Sequence, residues 1–88
     1  MRNLMWQSDA WQEYLEFQSN KTMLKRINLL LKDVMRNGYD ASYGKVELLK
    51  GDFTGYASIR IDQKNRIIFE ADESMVVVIQ CGNHYKDH

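Results

Sequence analysis

Apolar residues recur along this 88-residue chain with two different periods, and the change falls near Tyr39. The segment Arg2 to Trp6 alternates apolar and polar positions and reads as a short N-terminal strand. Ser8 then stands where a helix N-cap is expected, with Asp9 in the first turn, where the helix dipole favours negative charge. Trp11, Tyr14, Leu15 and Gln18 follow at helical spacing and predict one packed stripe. Asn20 offers a second cap. From it, Leu24, Ile27, Leu31 and Val34 predict a longer amphipathic helix to about Arg36, closed by Asn37-Gly38, two residues that tolerate the left-handed conformation.

Beyond a polar, glycine-bearing loop from Tyr39 to Gly44, the period shortens to two. Val46 to Leu49, Tyr56 to Ile61, Arg66 to Glu70 and Met75 to Cys81 read as strands. Turns are expected at Gly51-Asp52, Asp62 to Asn65 and Asp72 to Ser74. Proline is absent, so no strand is barred from the middle of a sheet. The predicted fold class is α+β: an N-terminal strand and two helices packed on one face of a mainly antiparallel, twisted sheet. With no linker or repeat, residues 1–88 are expected to form a single domain.

Composition narrows the function classes. Hydrophobic residues at 44% and charged residues at 27% are globular proportions and argue against disorder. The lone cysteine, Cys81, precludes an intramolecular disulfide and suits a reducing cytoplasm. Met75 to Ile79 is too short to span a bilayer, so a cytoplasmic protein with no membrane partner is expected. Twelve basic residues balance twelve acidic ones, which leaves no global field for nucleic acid. The distribution is uneven, though: Asp9, Glu13 and Glu16 load the first helix, while Lys21, Lys25, Arg26, Lys32 and Arg36 make the second basic. That stripe is either a solvated face or a phosphate-binding one.

Alternation places the candidate chemistry. If Val46 and Leu48 face the helices, Glu47 points to the other side, and the same parity sends Arg60 away from Ile59 and Ile61, and Arg66 away from Ile67 and Phe69. Three strands thus direct a carboxylate and two guanidiniums to one face. With His84 and Tyr85 near the C-terminus, the set supplies a base, a charge clamp and an acid for attack by a 2′-hydroxyl on phosphate. Taken singly, each residue has a plainer reading. Glu47 can be a solvent-facing strand residue, Arg60 and Arg66 can pair with Asp62 or Glu70, and Cys81 reads as a buried small hydrophobe. Two histidines, His84 and His88, and one cysteine give no metal-ligand spacing, so no metal or cofactor is expected.

The order of segments resembles the YoeB/Txe family of bacterial toxins within the RelE/ParE superfamily. The likeness rests on Met5-Trp6-Gln7-Ser8 with Ala10 to Leu15, Lys25-Arg26-Ile27-Asn28 with Leu30 to Asp33, and Gly44-Lys45-Val46-Glu47-Leu48-Leu49-Lys50. It continues through Gly55-Tyr56, Ser58 to Ile61, Asn65 to Phe69, and Cys81 with His84-Tyr85. The resemblance implies a ribosome-dependent endoribonuclease that cuts mRNA in the ribosomal aminoacyl site by metal-free acid-base chemistry. Its implied partners are mRNA, the 70S ribosome, a cognate YefM/Axe-like antitoxin and a second copy of the chain. It places Glu47 as general base, Arg66 as transition-state clamp, His84 as general acid and Tyr85 at the site's edge, with Lys50 and Arg60 as supporting RNA-binding residues. The chain departs from the family pattern at Ile59, Asn65 and Gly82, where basic residues are usual, and in the Lys86-Asp87-His88 extension. The alternative is a binding protein on the same scaffold, gyrase-directed like the ParE branch, or a toxin that has lost catalysis.

Overall fold

The computed structural model describes residues 1–83. Strand β1 (Asn3–Trp6) leads into helices α1 (Ser8–Leu15) and α2 (Lys21–Asn37), and four strands follow: β2 (Val46–Leu48), β3 (Ala57–Arg60), β4 (Arg66–Ala71) and β5 (Met75–Gly82). They form one five-stranded sheet in the order β1-β5-β4-β3-β2. β1 runs parallel to β5, and the other three pairings are antiparallel, as the α+β expectation required. His84 and Tyr85 lie outside the described residues.

The helices are set by their ends and their buried faces. Asn20 caps α2 as expected, its Oδ1 accepting the Met23 N–H at 3.1 Å. Gly38 closes the helix at φ +58°. Arg2 reinforces that end: its Nη1 donates to the carbonyls of Met35 and Arg36, where the helix dipole is negative. Ile27, Leu30, Leu31 and Val34 of α2 are buried against Ile59, Ile67, Phe69, Val76 and Val78 of the sheet.

At α1 the sequence reading needs two corrections. The N-cap is Gln7, not Ser8, because the Gln7 N–H still donates to the Val78 carbonyl and holds the chain extended one residue longer. The buried face is Ala10 and Glu13, whereas Trp11 is 43% exposed. Trp11 and Tyr14 instead cluster with Trp6 at the rim, with ring centroids 5.7 and 4.7 Å from it. Glu13 is therefore no surface acid: its Oε1 accepts the Cys81 N–H at 2.8 Å inside the protein. Burial, with the Glu13 charge adding to it, pushes the Cys81 thiol up to about 12, which fits the reading of Cys81 as a packing residue.

Three aspartates organise the connections. Asp33 accepts the N–H groups of Ser42 and Tyr43 at 2.9 and 2.7 Å, fixing the loop that leads into β2. Asp62 accepts from Lys64 and Asn65, and Asp72 from Ser74 and Met75, each pair at 2.8 Å. Burial pushes Asp33 and Asp62 up, but the hydrogen bonds they accept outweigh it and hold both below the usual carboxylate range. At Asp72 the Ser74 and Met75 N–H groups do the same. A depressed folded-state pKa contributes stability that is complete above the unfolded value and disappears as pH falls through the folded one. The urea midpoint should therefore drop below about pH 4. Asp33→Asn should lower it at pH 7 and shrink the loss between pH 7 and pH 3; an unchanged loss would exclude Asp33 as a contributor.

No helix among the described residues is long and apolar enough to cross a membrane.

Candidate functional site

The face of the sheet opposite the helices carries two rows of side chains in register. Glu47 lies across from Ser58, Ser58 from Ile68, and Ile68 from Gln80, so one row crosses four strands. The next row holds Arg60 opposite Arg66, and Arg66 opposite Gly82. The convergence expected from alternation is thus present. Leu48 is the exception to its pattern: on the three-residue edge strand β2 it is 69% exposed, with no further strand among the described residues to cover it.

Arg66 reaches diagonally over Ser58 to Glu47. Its Nη1 donates to Glu47 Oε1 at 3.1 Å and to Ser58 Oγ at 3.0 Å. The carboxylate that binds Arg66 is Glu47, and neither Asp62 nor Glu70 takes that place. Both bonds use one nitrogen, so among the described residues the guanidinium's Nε–Nη2 edge is left for another ligand. Arg60 sits exposed directly across from Arg66. Like charges opposite one another destabilise a sheet, and an anion between them relieves the repulsion.

Ser58 and Gln80 are the site-face residues that the sequence reading missed. Ser58 is 1% exposed, and Gln80, at 5%, donates through Nε2 to the Gly82 carbonyl. The available signal was parity, since Ser58 precedes Arg60 by two residues on one strand. Ile68 is 6% exposed yet stands apart from the helix-side core, forming the apolar floor between Ser58 and Gln80. Lys50 lies just beyond β2 and is exposed, and no hydrogen bond joins it to the Glu47–Arg66 pair. No group of three or more His, Cys, Asp or Glu that could hold a metal occurs among the described residues.

A cleft of about 640 Å³ opens beside Glu47 and Arg60. Arg26 of α2 and the loop residues Tyr43, Gly44 and Lys45 complete its wall. Gly44 is required there: a Cβ would come within 2.7 Å of Leu30 Cδ2 and 3.0 Å of Ile59 Cγ1, so the loop lies on the core only because the side chain is missing.

The YoeB-like toxin of bacterial type II toxin-antitoxin systems matches residues 6–85 of this chain. The chain belongs to that family. It is 41% identical to toxin YoeB of Synechocystis over 78 residues, 88% of this chain and 90% of that protein. The YoeB dimer of Staphylococcus aureus superposes with a TM-score of 0.84 at 39% identity, covering 96% of this chain and 98% of that one. YoeB in the S. aureus YoeB-YefM complex gives 0.87 at 38% identity, covering 97% and 99%. The likeness thus spans the whole YoeB scaffold, including all four strands that carry the two rows.

Proposed function

We propose that this YoeB-family toxin is an endoribonuclease that cuts mRNA in the aminoacyl site of the 70S ribosome. The observation that carries the reading is the Glu47–Arg66 contact at 3.1 Å, with Arg60 in register beside it. It puts a proton acceptor and a cationic fork on one open face. In the reaction Glu47 removes the proton from a 2′-hydroxyl, and that oxygen attacks the adjacent phosphorus. Arg66 turns its second edge to the charge growing on the phosphate oxygens, with Arg60 and Lys50 as further cations. The bond from phosphorus to the 5′-oxygen breaks, His84 protonates the leaving oxygen, and a 2′,3′-cyclic phosphate remains. Tyr85 is assigned to the edge of the site. Glu47 and Arg66 are already paired before RNA arrives, so substrate has only to displace or share that contact.

The S. aureus relatives, a YoeB dimer and a YoeB-YefM complex, support two partners for this chain: a second copy of itself and a YefM-like antitoxin. The ribosome supplies effective molarity by holding the mRNA, so cleavage of free RNA should be slow.

Primer extension on mRNA programmed into ribosomes tests the reading. Cuts at aminoacyl-site codons are expected; a folded protein that leaves the mRNA intact would overturn it and direct the search to gyrase. Ser58→Ala should slow cleavage about tenfold, because Arg66 loses a charge-assisted hydrogen bond worth about 1.5 kcal/mol and with it part of its aim. An unchanged rate in single-turnover assays would remove Ser58 from the site.

A further inference from the structure

Beyond the reacting groups, the cleft beside Glu47 has the chemistry of a site for one nucleotide. We propose that it holds the RNA nucleotide bearing the attacking 2′-hydroxyl, with Tyr43 stacking its base; the assignment of that nucleotide rests on the nuclease reading above. Among the described residues, three cations, Arg26, Lys45 and Arg60, line the cleft with one acid, Glu47, which is bound to Arg66. Such a wall suits a phosphodiester. Tyr43, a residue 53% exposed, adds an aromatic ring, and a base stacks on such a ring irrespective of its hydrogen-bonding edge.

The parts are held in place before any ligand binds. Asp33 fixes the Tyr43 amide at 2.7 Å, and Gly44 presses the loop onto Leu30 and Ile59. Arg26 donates through Nε to the Ile61 carbonyl, and its guanidinium carbon stands 5.8 Å from the Tyr43 ring centroid. Arg26 thus lies against one face of the ring, and the exposed remainder of the side chain is the part that takes a base. Glu47 borders both the cleft and the Arg66 pair. A nucleotide whose 2′-hydroxyl reaches Glu47 therefore has its base and 5′ side against Tyr43, and its 3′ phosphate toward Arg66. Tyr43 and Arg26 become positioning residues for the cut.

The test uses two inert probes of equal backbone: deoxy tetra-adenylate and a deoxy tetramer with no bases. Neither has a 2′-hydroxyl, so binding is read apart from cleavage, by the shifts of the Ser42 to Lys45 amides in NMR titrations. The adenylate should bind wild type about ten- to a hundredfold more tightly than the abasic probe, the range for one base stacked on an aromatic ring. Tyr43→Ala should abolish that preference, and Tyr43→Phe should retain it. Lys45→Gln should weaken both probes alike and lower the salt slope by about 0.7. No shift in these amides at millimolar adenylate, or a base preference that survives Tyr43→Ala, overturns the proposal. Ribosomal cleavage assays judge the nuclease reading separately, so failure of one is distinguishable from failure of the other.

Discussion

Glu47→Ala is expected to slow mRNA cleavage on programmed ribosomes by about 10²–10⁴-fold, the range for loss of a general base. The fold should scarcely notice. Glu47 lies on a three-residue edge strand, its side chain is 50% exposed, and an ion pair at such a site is worth about 0–1 kcal/mol. A thermal midpoint within a few degrees of wild type would show that the lost rate is chemistry. Glu47→Gln separates the two jobs this residue could have. The amide keeps an oxygen to receive Arg66 Nη1 but takes no proton from a 2′-hydroxyl. If glutamine is as slow as alanine in single turnover, proton removal is the role. Near-wild-type cleavage by Glu47→Gln would make Glu47 a group that aims Arg66, and the base would have to be sought elsewhere.

Much of this arrangement was legible because alternation survives where it matters. Ile59 and Ile61, and Ile67 and Phe69, are all buried, so the parity that sends Arg60 and Arg66 to the open face could be read directly. The Glu47–Arg66 contact could not. It joins residues nineteen positions apart across an intervening strand, and only the register places Ser58 under the guanidinium as a second acceptor. Strand β5 hid a different feature. Ile68 faces Gln80 while Phe69 faces Val78, which leaves Ile79 as an extra residue at a bulge. The bulge moves Cys81 into the core beside Ile67 and turns Gln80 to the site face, a switch that the unbroken apolar run Val76-Val77-Val78-Ile79 does not signal. On α1, helical spacing chose the large aromatics, but the buried face is Ala10 and Glu13, with Glu13 bonded to Cys81 of β5, and Trp11 and Tyr14 serve the rim around Trp6.

Phe69→Ala is expected to cost about 3–5 kcal/mol of stability, a large share of what a domain of this size possesses. Phe69 is the largest fully buried side chain among the described residues, and its strand neighbours in register are Ala57 and Val78. Ala57 has too little side chain to refill the space. On its other side the ring stacks on Tyr39, centroids 5.7 Å apart at 21°. Tyr39 is itself tied to the backbone, its hydroxyl donating to the Gly55 carbonyl at 3.0 Å and accepting the Ala71 N–H at 2.9 Å. With Ala57 too small to fill the space and Tyr39 held by two hydrogen bonds, much of the void persists, which puts the cost toward the upper end for such a truncation. At about 4–8 °C per kcal/mol for a small domain, the thermal midpoint should fall by at least about 12 °C. Phe69→Leu, which keeps most of the volume, should fall much less. Arg66 stands three residues away on the same strand, so cleavage should fail in Phe69→Ala together with folding. In Glu47→Ala it should fail alone. A Phe69→Ala midpoint within about 3 °C of wild type would mean that this part of the sheet can close over the void, and that the platform under Arg66 is more plastic than its packing indicates.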